Sequence, residues 1–242
     1  TAGLTQAGVI TATSLDVTNS AGTVVLDQSN TLANVEIDNT GRDIALTNSA
    51  TTNISAGGIQ GDIVMLNTAG LTQVGVITAT SLDVTNSAGN VALDQSNALT
   101  NVEIDNTGRD VALANSVATI ISTGGIQGDS VVLNTAGLTQ TGAITATSLD
   151  VTNSAGSVVL TNAANSLADV EIDNTGNSIS LTNTSLTDIS SGGIQGSFVT
   201  LNTVGLTQTG TIDASAKLTV TNTQGDVTLT QLNSLAAIEI VN

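Results

Sequence analysis

Three pairs of carboxylates recur along the chain: Asp16 with Glu36, Asp83 with Glu103, and Asp150 with Glu171. Each acid sits between two apolar residues, as Leu-Asp-Val or Val-Glu-Ile, and the members of a pair lie 20 or 21 residues apart. Two carboxyls held close can divide the acid and base roles of glycoside hydrolysis. They also repel, which raises a pKa unless a cation such as calcium sits between them; otherwise the side chains splay into water. In the fourth copy of the pattern Thr219 replaces the aspartate beside Glu239, so the pair is dispensable there.

Little other side-chain chemistry is present. The 242 residues contain no His, Cys, Pro, Trp or Tyr, and the single Phe is Phe198. Imidazole bases, thiolates, disulfides and soft metal ligands are therefore excluded. Three cations, Arg42, Arg109 and Lys217, face 20 acids, for a net charge of −17. Such a chain repels nucleic acid and anionic membranes, and no apolar run approaches the roughly 20 residues that span a bilayer. The spacing predicts surface salt bridges from Arg42 to Asp62 and from Arg109 to Asp129; the third copy has Asn177 and Ser197 there. Asn39, Asn106 and Asn174 suggest amide ladders, and Thr18, Thr85 and Thr152 hydroxyl ladders. Thr-Ala-Thr triplets at 11–13, 78–80 and 145–147 raise an ice-binding reading, but they recur too sparsely for a flat lattice match.

What must position these residues is a repeat. TAGLTQ begins at Thr1, Thr68 and Thr135 and TVGLTQ at Thr203, dividing the chain into units 1–67, 68–134, 135–202 and a partial 203–242. The first two units agree at 54 of 67 positions. Both termini fall inside a unit and the chain opens at Thr1 rather than Met, which is expected of a processed protein or a piece of a longer array. Within each unit a Val/Ile-x-Leu triplet follows a glycine: its leucines are Leu26, Leu46, Leu66, Leu93, Leu113, Leu133, Leu160, Leu181, Leu201 and Leu229. Apolar residues two apart are the signature of a strand with one buried face. Helical spacing is absent, and Val, Ile, Thr, Asn and Gly are poor helix formers.

The pattern predicts an all-β fold, a single-stranded parallel β-helix (β-solenoid) of 10–11 turns of roughly 20–28 residues, three to a unit. The ten leucines are expected to form one continuous internal column. Every third turn should carry about eight extra residues around Thr68 to Thr80, making a bulged side or an additional short strand. Gly57-Gly58-Ile59-Gln60-Gly61 lacks the aspartate of calcium-binding β-roll nonapeptides. Catalysis needs a singular break in a repeat, and the near-singular residues Met65, Phe198 and Lys217 share no chemistry, so no enzyme, catalytic residue or cofactor is expected.

SLDVTNSAGTVVLDQSNTLANVEIDNTG and LTVTNTQGDVTLTQLNSLAAIEI, with GLTQTG segments between them, resemble the repeat shaft of filamentous haemagglutinin-type exoproteins of two-partner secretion systems. The resemblance is one of repeat style, covers the whole chain and carries over no binding residue. It implies export through a partner outer-membrane pore, folding outside the cell, and service as an adhesin or as a stalk presenting a toxin. The expected role is thus a structural stalk of a secreted or cell-surface bacterial fibre, in contact with its neighbouring repeats and with a host or neighbouring-cell surface. The alternatives are a filament subunit that stacks end to end, and a calcium- or glycan-binding module.

Overall fold

The computed structural model describes residues 2–242; Thr1, where the first TAGLTQ begins, lies outside them. The chain is all-β, without a helix, and winds as a parallel β-solenoid of about 12 turns. Each turn has three sides, and every side is hydrogen-bonded in parallel to the turns above and below. On the first side Leu4, Val24, Ile44, Val64, Leu82 and Val102 lie one above another. On the second, Thr52, Leu71, Val91, Val111, Val131, Leu149 and Val170 do so. On the third, the stack is Thr119, Leu138, Val158, Ile179, Val199, Leu218 and Ile238.

Register partners are 18 to 22 residues apart throughout, as in Leu66 with Val84 and Ile104 with Ile126. No turn is as long as 28 residues, and the turns number about 12 rather than 10–11. The 27-residue leucine spacings arise differently. Three turns carry the chain from Leu4 to Val64 on one side, and Leu71 then opens the next unit on the neighbouring side. A 67-residue unit therefore spans about three and a third turns, and each copy is rotated by one side relative to the copy before.

This rotation corrects the expected single leucine column. Leu26, Leu46 and Leu66 stack on the first side and hand over to Val84. Leu93, Leu113 and Leu133 stack on the second and hand over to Val151. Leu160, Leu181 and Leu201 stack on the third and hand over to Val220. All nine are buried, and one continuous dry core joins them to the Val and Ile residues. Leu229, in the last turn, is only partly covered.

Of the two forms expected at Thr68 to Thr80, the short strand is present and the bulge is not. That stretch is ordinary wall: Leu71–Gln73 and the start of Ile77–Asn86 are strands, with Leu71 and Ile77 fully buried. The extra residues lie earlier in the unit, in Ser55-Ala56-Gly57-Gly58, between Ile54 over Val35 and Ile59 over Ile37. Equivalent insertions separate Ile121 from Ile126, and Ile189 from Ile194.

Where strands turn from one side to the next, buried amides replace apolar side chains. Asn30, Asn97 and Asn165 are fully buried. Each exchanges two side-chain hydrogen bonds with the glutamine of GLTQ: Gln73 Nε2 donates to Asn97 Oδ1 at 3.0 Å, and Asn97 Nδ2 returns a bond to Gln73 Oε1 at 2.9 Å. Gln6 with Asn30, Gln140 with Asn165 and Gln208 with Asn233 repeat the exchange. The same asparagines satisfy corner backbone groups: Asn97 Oδ1 accepts the Ile77 N–H at 2.7 Å, and Asn97 Nδ2 donates to Ala114 O at 3.0 Å.

Candidate functional site

The carboxylate pairs are brought together as the spacing implies. Asp16 lies opposite Glu36, Asp83 opposite Glu103 and Asp150 opposite Glu171, each pair on adjacent turns. The flanking apolar residues fix the geometry: Leu82 and Val84 point into the core at 0% exposure, so Asp83 between them must point outward. Because the units rotate, the three pairs occupy three different sides of the rod. Partial burial, and secondly the adjacent glutamate, hold the Asp83 and Asp150 carboxyls above the ordinary aspartate range.

The glutamate of each pair has a further task that sequence reasoning missed. Glu36 Oε2 accepts the backbone N–H of Gly57 at 3.0 Å, Glu103 that of Gly124 at 3.0 Å, and Glu171 that of Gly192 at 3.1 Å. A Cβ added at Gly124 would lie 1.8 Å from Glu103 Oε1, so the carboxylate occupies the space a side chain would need. The second glycine is constrained otherwise. Gly58, Gly125 and Gly193 have φ of +80° to +82°, and a Cβ there would lie 2.1 to 2.3 Å from a carbonyl oxygen of the next turn. That next turn supplies Gly75, Gly142 and Gly210, where a Cβ would lie 1.9 to 2.1 Å from the carbonyl of Ser55, Ser122 or Ser190. The Gly-Gly pair is thus a bulge in which two backbones nest and which a glutamate clasps from the turn below. Its sequence signal was present: the first glycine of Ser-x-Gly-Gly-Ile-Gln stands 21 residues after the glutamate of each Val-Glu-Ile.

The remaining candidates sort plainly. Asp62 N–H bonds to Arg42 O at 2.8 Å and Asp129 N–H to Arg109 O at 2.7 Å, so the stacking holds. The expected Arg42–Asp62 and Arg109–Asp129 ion pairs do not form, since these corner side chains project into water, where pairing gains little. Arg42 Nη1 instead donates to Thr40 O at 3.3 Å. Among the described residues the ion pair that forms joins Lys217 to Glu239, at 2.5 Å, and lowers the Glu239 pKa. The amide ladders are present: Asn19 bonds to Asn39, Asn86 to Asn106 and Asn153 to Asn174, at 2.7, 2.6 and 2.8 Å. The threonine ladders are not. Thr18, Thr85 and Thr152 meet Asp38, Asp105 and Asp173 on the following turn, and rotation places the three on three sides. The same rotation distributes the Thr-Ala-Thr triplets, so no side carries a threonine array.

Chemically, the stacked acids repel each other across adjacent turns. Calcium takes six to eight oxygens, and among the described residues no group of three or more acids converges. The depression over Asp83 is shallow and open, lined by Ala45, Met65, Asn67 and Thr85. No protein-family model, no curated protein and no solved structure matches the chain.

Proposed function

We propose that this chain is a rod-forming spacer, the stalk portion of a secreted or surface-exposed bacterial fibre. The single observation that supports the reading most is the register: about 12 turns pair without interruption, and each unit reproduces the contacts of the one before. Such a stack makes length out of repetition, because each rung needs only its neighbours. The repeat-shaft resemblance supports an extracellular location and adhesive or toxin-bearing regions elsewhere in the parent fibre. The outward faces carry Asp among Thr, Asn and Ser, and the acids keep neighbouring rods apart through like charge.

The experiment is a length series. At about 4.8 Å per rung, one added 67-residue unit should lengthen the rod by about 16 Å at constant width. Small-angle scattering of chains carrying one, two and three extra units measures this. Widening or kinking at each added unit would rule the spacer out.

A further inference from the structure

Each unit opens on a corner of sequence Thr-Ala-Gly-Leu or Thr-Val-Gly-Leu. In the first three copies the corner closes on an asparagine of the next turn. Gly3, Gly70 and Gly137, at φ +105°, +123° and +116°, donate their backbone N–H to Asn19, Asn86 and Asn153 Oδ1 at 2.9, 2.5 and 2.6 Å. The corner threonine finds a partner as well: Thr68 Oγ1 donates to Gly70 O at 2.5 Å, and Thr135 Oγ1 to Asn153 Oδ1 at 2.9 Å.

The fourth corner, Thr203-Val204-Gly205-Leu206, is built otherwise. Val204 replaces the alanine, and Gly205 lacks the positive φ of its counterparts. A Cβ on Gly205 would stand 2.7 Å from Leu186 Cδ1, where Gly137 has Ala118 at 3.4 Å. Thr203 lies opposite Asn222 in the ladder, and the two are buried at 2% and 5% exposure. Thr203 Oγ1 and Asn222 Oδ1 nevertheless have no hydrogen-bond partner within the chain, so the buried Gly205 does not donate to its asparagine. Position near an end of the rod does not account for this, since Gly3 keeps its bond.

Buried polar groups left unpaired forfeit their hydration, and ordered water is the usual remedy. A buried water makes about three hydrogen bonds. The groups present match that number: an N–H to donate, an amide oxygen to accept, and a hydroxyl that does either. A cation could not satisfy the N–H. We infer that one ordered water is an integral part of this corner, accepting from Gly205 N–H, donating to Asn222 Oδ1 and bonding Thr203 Oγ1, and that Leu186 and Val204 hold the corner open for it. The open depression lined by Thr184, Asn202, Thr203, Val204 and Thr223 gives the water a path to solvent.

Rotating-frame Overhauser transfer from water to the backbone amides of the isotope-labelled 242-residue chain tests the assignment. A cross-peak is expected at Gly205 and none at Gly70 or Gly137; their corners carry the same threonine and asparagine, which controls for transfer relayed through a hydroxyl. In Leu186→Ala with Val204→Ala, both outside the dry core, the corner should close. The Gly205 cross-peak should then fall at least fivefold, and its amide proton should shift toward those of Gly70 and Gly137. No transfer at Gly205 in the unaltered chain, equal transfer at Gly70 and Gly137, or undiminished transfer in the double variant would each overturn the inference.

Discussion

Two adjacent glycines of the same bulge should respond very differently to alanine. At Gly125 the backbone is left-handed, φ +82°, which costs a non-glycine residue about 1–2 kcal/mol. The new Cβ would also stand 2.1 Å from Ala143 O, the carbonyl that accepts Ile126 N–H at 3.0 Å. Relieving that overlap breaks a ladder bond, for about 1 kcal/mol more, and separates Gly142 from the bulge. Gly125→Ala is therefore expected to cost about 2–3 kcal/mol, at the upper end of ordinary single substitutions. At Gly124 the obstacle is Glu103 Oε1, the far end of a flexible side chain. The carboxylate can swing into water, so the loss is one exposed hydrogen bond, about 1 kcal/mol. Against this stands the about 0.4–1 kcal/mol gained by restricting the unfolded chain.

A double-mutant cycle separates this account from a general intolerance of the bulge. With Glu103→Ala in place the obstacle is gone, and Gly124→Ala should become neutral or stabilising, while Gly125→Ala keeps its full cost. Urea titration followed by circular dichroism reads all the variants. Equal costs at Gly124 and Gly125, or a Gly124→Ala effect unchanged by Glu103→Ala, would mean that the carboxylate does not sit against the bulge, and the reasoning would fail.

Acidification provides a second test. Asp83 and Asp150 bind their protons more tightly folded than unfolded. Their penalty is thus fully present above the folded pKa and disappears as pH falls through it to the ordinary value of 3.8. The melting temperature should rise across that acidic window, and Glu103→Gln with Glu171→Gln should flatten the rise. Leu113→Ala, 1% exposed between Leu93 and Leu133, should cost about 2–5 kcal/mol in the same urea titration. Ala112→Thr, one residue away and pointing outward, should change stability by less than about 0.5 kcal/mol. Asn106→Ala would remove one bond from the Asn86 amide, 2.6 Å away, and one from the Asp110 carbonyl, 2.7 Å away, while Asn86 keeps Ala88 O and Gly89 O and Asp110 O keeps Val91 N–H; a loss of about 1–2 kcal/mol is expected by thermal melting.

The period-2 alternation was enough to identify strands, and the recurrence of Val-x-Leu at 20 residues was enough to identify a coil. The register of the carboxylate pairs and the asparagine ladders followed from the same step, because equivalent positions one turn apart must stack. The coil's phase over longer distances did not follow. A spacing of 27 residues between Leu66 and Leu93 has two readings: one long turn, or one turn plus a third of the next. Periodicity within a strand cannot distinguish them, since Leu71-Thr72-Gln73 alternates equally well as a bulge or as wall. The distinguishing clue was the paired glycines, the second of positive φ and in close backbone approach to the next turn, which mark where the strand bulges. Likewise Gln73 and Asn97 stand 24 residues apart in sequence, and only the three-sided path brings their amides face to face.

The mismatch between unit and turn also has a consequence for stability. Were a unit an integral number of turns, every carboxylate pair and every Gly-Gly bulge would recur on one side. Like charges would then line one side of the rod, and so would the segments with fewest ladder bonds, making a seam along which the coil could open. With about three and a third turns per unit, consecutive acid pairs are turned to different sides, and a given side meets the same feature only after about ten rungs, or roughly 48 Å. That distance is several Debye lengths at physiological salt, so the pairs repel within themselves but not along the rod. The Ile121 to Ile126 bulge rests on its own side on Val84 and Ile104, stacked below it within the same unit. A sequence repeat that keeps out of phase with its own coil thus distributes its weak points around the axis instead of aligning them in one seam.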